Sequence, residues 1–258
     1  MFDLGRLANE NPPKLRRFDQ KGFPLDIVEF HPAYHEVMRR SFRAGLHSLA
    51  IRMPGHDLAR RLIGTAGVPV VAPSANLSGR VSPTTVAHVL EGLAGRIDMV
   101  LDGGACEIGI ESTIVSCLEG RPELLRLGAL ARRRIEDVLG EPLTSRVEDG
   151  RPVAPGALAS HYAPAAALRL GASRAEEGEA LLAFGPQVPE HSGPTLNLSP
   201  AGDVIEAAAN LFAMLRELDA GGAKTIAVMP IPNEGLGEAI NDRLQRAAAP
   251  RSGADEAT

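Results

Sequence analysis

Tryptophan is absent from this sequence, and aromatic residues of all kinds make up only 3% of it. The core must therefore be aliphatic, built from Leu, Val, Ile and Ala. Cysteine is scarce as well: Cys106 and Cys117 are the only two, and neither has C-x-x-C spacing. That excludes a disulfide framework and leaves both thiols as ordinary buried side chains in a reducing compartment. No run of about 18 apolar residues occurs, so the signature of a membrane-spanning helix is missing. Met1-Phe2-Asp3-Leu4-Gly5 has neither the basic start nor the apolar run of a secretory signal, and a cytoplasmic location is expected. Positive charge is not in excess: 27 Lys and Arg face 32 Asp and Glu, a formal net charge of −5. Such a balance argues against direct binding to a nucleic-acid backbone. The one basic triplet, Arg132-Arg133-Arg134, reads as the solvated face of a helix.

What is present is ordinary globular material. The chain has 258 residues, 44% hydrophobic and 23% charged, enough for two cores. Residues 1–47, with Pro12, Pro13, Pro24 and Pro32, show weak periodicity. From Leu49 strands and helices alternate. A short strand is expected over 49–52, then a helix capped by Asp57, running through Leu58, Leu62 and Ile63 and stopped by Gly67. A β-branched run, 68–72, reads as a buried strand. Ser82 and Pro83 suit the N-cap and first position of a helix through Val86, Val89 and Leu90. Further strands are expected at 99–101, 112–118 and 123–126, and a helix at 135–139. Residues 141–164 are Pro- and Gly-rich and read as an extended linker. Beyond it, strands are expected at 167–170, 180–184 and 225–229 and amphipathic helices at 204–218 and 236–248. That alternation implies a parallel sheet covered on both faces. Residues 251–258 are expected to form a disordered tail.

The densest chemistry lies between residues 52 and 128. In order come Arg52-Met53-Pro54-Gly55-His56, Pro73-Ser74-Ala75-Asn76-Leu77-Ser78-Gly79, Ser82-Pro83-Thr84, Asp102-Gly103-Gly104, Glu111-Ser112-Thr113 and Leu125-Arg126-Leu127-Gly128. Hydroxyls, backbone N–H groups and guanidinium forks are the groups that hold phosphates and carboxylates. The pattern points to positioning and charge stabilisation rather than covalent catalysis, and no residue is assigned as a catalyst or metal ligand. Ser74 and Asn76 follow a strand, where open α/β sheets place ligands, although Ser and Asn also cap turns for local reasons. Ser82 at a helix start can serve both as cap and as phosphate seat. Arg126 ends an apolar strand, where an anionic ligand or an interface would compensate it. His56 reads as a helix-start residue.

Six motifs in this order resemble the YrdC-type L-threonylcarbamoyladenylate synthases, in their two-domain bacterial form. The resemblance implies an α/β fold: a YrdC-like twisted mixed sheet with helices over 1–140, the linker 141–164, and a smaller Rossmann-like domain over 165–250. It implies an ATP-dependent nucleotidyltransferase that joins L-threonine, bicarbonate and ATP into L-threonylcarbamoyl-AMP and pyrophosphate, with Mg2+ on the phosphates. The product feeds tRNA threonylcarbamoyladenosine formation through a downstream transferase. By resemblance Ser74, Asn76, Ser82, Arg126 and Lys21 contact the nucleotide, and Arg52, Ala72 and Ser112 hold threonine. Tyr162, in Ser160-His161-Tyr162-Ala163-Pro164, would fold back over the adenylate; anchoring of the linker is its plainer role.

The chain departs from the family near its start. A P-T-E-T-like opening motif is not found, Lys21-Gly22-Phe23 carries Phe where the family has the Arg of K-x-R, and a P-G-P-x-T segment is missing. Pro24-Leu25-Asp26-Ile27-Val28-Glu29-Phe30-His31 keeps an altered P-L-I-V-H-like segment. These departures predict slow turnover. They leave a catalytically impaired, nucleotide- or RNA-binding or partner protein as the alternative function.

Overall fold

A computed structural model describes residues 14–18, 25–29, 50–145 apart from 53, 69, 78 and 119, and 161–250. The chain divides into two compact units, Met1–Pro73 and Ser74–Thr258.

In the first unit, β1 (Lys14–Phe18) and β2 (Leu25–Glu29) form an antiparallel ladder, with Lys14 opposite Glu29 and Phe18 opposite Leu25. This stretch was expected to be irregular. Helix α1 (Asp57–Ala66) begins one residue earlier than expected, with His56 as N-cap and Asp57 in its first turn, where a carboxylate suits the helix dipole. Gly67 ends it as expected, in a left-handed conformation (φ 63°) that a side chain would resist. The expected strands do not form over residues 50–52 or over the described part of 68–72. Val68, Val70 and Val71 are exposed rather than buried. β-branched composition favours a strand only where a ladder partner and a packing surface exist.

Early in the second unit the Arg80 N–H donates to the Leu77 carbonyl in a turn, ahead of helix α2 (Val86–Leu93). Its N-cap is Thr85, whose hydroxyl accepts from the His88 N–H, so Ser82 lies three residues upstream of the cap rather than on it. Residues 99–101 form no strand. β3 (Ile114–Ser116) pairs antiparallel with β4 (Glu123–Arg126) across a bulge between Ile114 and Val115, and β4 pairs in parallel with β5 (Thr144–Ser145). Helix α3 (Arg132–Leu139) has no buried residue, and Arg133 and Arg134 face solvent. Cys106 and Cys117 are free and exposed, not buried as composition suggested.

The remainder is a four-stranded sheet, all parallel, in the order β6 (Ala167–Leu170), β9 (Thr225–Val228), β7 (Ala180–Ala183), β8 (Thr195–Asn197). β8 was not foreseen, since Thr-Leu-Asn is too short to carry a pattern. Helices α4 (Val204–Ala220) and α5 (Leu236–Ala248) follow β8 and β9. Asp203 caps α4 by accepting from the Ile205 N–H. Ala180, Leu182, Ile226 and Val228 pack with Leu211, Phe212, Leu215, Ile240 and Leu244 into the main core. Leu181, Ala183 and Ala227 face the other way, against Ala172 and Ala175. Loop residues after β6 therefore cover the second face where helices were expected. Val81 and Ile110 join the main core, so the chain before β3 is packed on α4. Gly109 shows how closely: a Cβ there would lie 2.4 Å from the Ala208 carbonyl oxygen.

Among the described residues no helix is long and apolar enough to cross a membrane.

Candidate functional site

Three of the sequence motifs meet in the second unit. The Glu111-Ser112-Thr113 segment lies beside residues 126–130, and each of its residues is tied there. The Glu111 carbonyl accepts from the Ala129 N–H at 3.0 Å. The Ser112 carbonyl accepts from Arg126 Nε and Nη2 at 3.1 and 2.8 Å. Thr113 Oγ1 donates to the Leu130 carbonyl at 2.6 Å and accepts from the Leu130 N–H at 3.1 Å. The approach needs Gly128, because a Cβ at that position would sit 2.3 Å from the Glu111 carbonyl oxygen. Arg126 is thus held by backbone, with two of its donors aimed at the residue expected to contact threonine.

Glu111 is the hub. Its Oε1 accepts from Ser82 Oγ at 2.6 Å, and its Oε2 accepts from Arg243 Nε and Nη2 at 3.1 and 3.0 Å. Arg243 Nη1 donates to the Leu127 carbonyl at 2.7 Å and to Asp242 Oδ2 at 2.9 Å. Arg243 is 1% exposed, a charge almost wholly removed from water. Burial by itself would raise the Glu111 carboxyl; the Arg243 charge, the Ser82 hydroxyl and backbone N–H donation outweigh it, and its pKa falls below the usual 4.5. Glu111 therefore stays ionised at neutral pH and compensates Arg243.

Tyr162 completes the cluster. Its ring is 1% exposed, stacks on Phe212 at 5.5 Å between centroids, and has the Arg243 guanidinium carbon 5.4 Å from its centre. The residue adopts φ 63°, a left-handed conformation uncommon for a bulky side chain. Its neighbours hold it there: the His161 N–H donates to the Arg246 carbonyl, and the Ala163 N–H to the Gly79 carbonyl at 3.1 Å. Burial raises the Tyr162 hydroxyl and lowers the His161 imidazole, so both are neutral at pH 7. The Arg126 charge acts on both groups, and His161 Nδ1 is buried without a hydrogen-bond partner.

The remaining expected ligand residues fall out as follows. Asn76 Nδ2 donates to the carbonyls of Leu77 and Arg80, the local turn role, while its Oδ1 is buried without a partner. That turn reaches the Tyr162 segment through the Gly79–Ala163 bond. Ser74 is exposed on the chain entering the turn. The Asp102-Gly103-Gly104 motif is also a local turn, with Asp102 Oδ1 accepting from the Gly104 N–H. Arg52 and Ala72 are exposed in the first unit, and Lys21 lies outside the described residues. A shallow hollow lined by Arg133, Glu136, Asp137, Gly140, Glu141 and Pro142 contains none of these residues. Glu111, His161 and Arg243 were not assigned from the sequence. Arg243 had a legible signal, since it stands on the apolar stripe of Leu236, Ala239, Ile240, Leu244 and Ala247.

The hydroxyls, guanidinium groups and fixed carboxylate gathered around residues 111–113 and 126–130 of this α/β chain are groups that hold anions by position and charge. The comparisons make this particular. The family model described as telomere recombination matches residues 1–128, and that for the threonylcarbamoyl-AMP synthase C-terminal domain matches residues 130–249. A threonylcarbamoyl-AMP synthase of Bacillus subtilis is 34% identical over 96% of this chain and 77% of its own length. One of Pyrococcus abyssi is 35% identical over 95% and 76%. The crystal structure of P. abyssi Sua5 complexed with L-threonine superposes with a TM-score of 0.71 at 29% identity, covering 93% of this chain and 80% of that one. The chain belongs to the threonylcarbamoyl-AMP synthase family, enzymes of tRNA threonylcarbamoyladenosine biosynthesis.

Proposed function

We propose that this chain forms L-threonylcarbamoyl-AMP and pyrophosphate from L-threonine, bicarbonate and ATP. The observation that carries the reading is the coupling of the Glu111-Ser112-Thr113 and Leu125–Gly128 motifs through Arg126, within a chain similar over most of its length to named synthases. In the reaction, protonated bicarbonate loses water to give CO2, and the threonine amine adds to that CO2 and loses a proton to give a carbamate. A carbamate oxygen then bonds to the α-phosphorus of ATP as the bond to the bridging oxygen breaks, and pyrophosphate leaves. The protein need not supply a nucleophile. Its work is to hold an amino acid and a triphosphate in line and to keep water from a labile mixed anhydride.

Ser112 is assigned to threonine, and Ser82, Asn76 and Ser74 to the nucleotide. Arg126 is assigned to its phosphate, and Tyr162 keeps its nucleotide assignment on its motif, its own ring being packed in the core. Arg52 and Ala72 keep their threonine assignment, and Lys21 its phosphate assignment, on their motifs alone. Among the described residues no group of three His, Cys, Asp or Glu side chains could hold a metal ion. Mg2+ carried on the triphosphate oxygens would neutralise charge on the departing pyrophosphate. The cytoplasm, and delivery of the product to a transferase that modifies tRNA, complete the proposal. A pyrophosphate-release assay tests it: release should require threonine and bicarbonate together, and release that ignores either one contradicts the reading.

A further inference from the structure

A buried ion pair across 132 residues of sequence joins the last helix to the motif that carries the substrate-binding serine. We propose that Arg243 and Glu111 are positioning residues for the reaction, through which α5 sets the geometry of Ser82, Ser112 and Arg126. This rests on the assignment of those three residues to substrates. Three observations converge on it. Both Arg243 Nε and Nη2 close on one carboxylate oxygen, Oε2, leaving Oε1 to orient the Ser82 hydroxyl. Arg243 Nη1 holds the Leu127 carbonyl, one residue beyond Arg126. A single guanidinium thus pins both strand-end segments, 111–112 and 126–127, against each other. The Ser112 carbonyl and the Arg126 guanidinium meet between those pins.

Stability alone gives a poor reason for such an arrangement. A buried pair is often no more stabilising than well-packed apolar side chains of the same volume, whereas its directional bonds fix one arrangement of the groups they join. Arg243 occupies an apolar-stripe position of α5, where Leu or Met would pack. Asp242 supplies Arg243 with a second carboxylate and also accepts from Arg246 Nε at 3.0 Å, which orients the guanidinium from its own helix. The α5 helix therefore presents a preset fork to the site, and Glu111 transmits it.

The test compares the full-length chain with Arg243→Lys, Arg243→Met and Glu111→Gln. Threonine and ATP affinities are measured by calorimetry and kcat and KM by pyrophosphate release, well below each protein's melting midpoint and per folded molecule. Arg243→Lys keeps the charge but not the fork and should recover part of what Arg243→Met loses. The expected result is a graded loss in threonine affinity and in kcat/KM, roughly tenfold to a hundredfold for Arg243→Met, the scale on which a displaced positioning group acts. A melting midpoint that falls while affinity and kcat/KM per folded molecule stay at the wild-type value would make the pair purely structural and overturn the inference. If Arg243→Met does not fold, Glu111→Gln, nearly isosteric with the native side chain, decides alone by the same criterion. A wild-type chain that binds no threonine would overturn the substrate assignment, and the inference with it.

Discussion

At Gly128 the residue scale decides whether two motifs can touch. Its missing Cβ lets the backbone of residue 128 lie against Glu111, Ser112 and Thr113. Gly128→Ala should therefore push the segments apart, lowering the melting midpoint and threonine affinity together; a well-folded variant with native affinity would show that the approach is dispensable. Tyr162 behaves differently, because its ring is part of the core. Tyr162→Ala removes a buried aromatic and should cost roughly 3–5 kcal/mol of stability in urea unfolding. Tyr162→Phe keeps the stack on Phe212 and should keep the fold. Two titrations set the pH dependence. Glu111 has a folded pKa below 4.5, so its contribution is complete above that value and is lost as pH falls through the folded one. His161 has a folded pKa below 6.5, so the unfolded chain takes up its proton first and stability falls below pH 6.5. Both act in one direction: urea midpoints should fall from pH 7 to pH 4, and Glu111→Gln should flatten the acid end of that curve. Glu111 was visible in the sequence as part of a motif, but its partner was not, because nothing local links it to a residue on α5. Ser82 was read as a helix cap; the nearer Thr85 has the geometry for that role, which leaves the Ser82 hydroxyl to the carboxylate.

Among elements, those with a local pattern of their own were the most legible. The strands at Ala167–Leu170 and Glu123–Arg126 and the helix Leu236–Ala248 lie where the patterns put them, since each carries a local signal: a short apolar run or a continuous stripe. The failures share a cause. Residues 68–72 and 99–101 have strand composition, yet Val71 is 64% and Met99 73% exposed. A strand is a relation between segments, and composition reports only one side of it. Covering the second sheet face with the loop Gly171–Glu179 was likewise invisible, because loop packing has no period. That loop has its own fastening. Arg169 on β6 donates from Nε to Glu179 Oε1 at 2.9 Å, and the Arg169 hydrogen bonds, joined by the Glu176 N–H, hold the Glu179 carboxyl at about 2. Arg169→Met should return it towards the ordinary 4.5, as followed by NMR titration of the Glu179 side chain. A value still near 2 would assign the shift to the backbone donor.

Over the whole molecule, the Arg243–Glu111 pair joins the Glu111-Ser112-Thr113 motif near the middle of the chain to a helix near its end. The aliphatic core foreseen from the scarcity of aromatics is present, and among the described residues Phe212 and Tyr162 are its buried aromatic rings. Ser82, Ser112, Arg126 and Tyr162 were all picked out from sequence, and the structure links them through Glu111 and Arg243, to which the sequence assigned no role. The central claim is chemical, that bicarbonate carbon ends between threonine and AMP, and mass spectrometry of the product tests it most directly. Full-length chain incubated with 13C-bicarbonate, L-threonine and ATP should yield an adenylate one mass unit heavier than the product from unlabelled bicarbonate, and Arg126→Ala should yield far less. An adenylate without the label, or AMP alone with no threonine attached, would contradict the account.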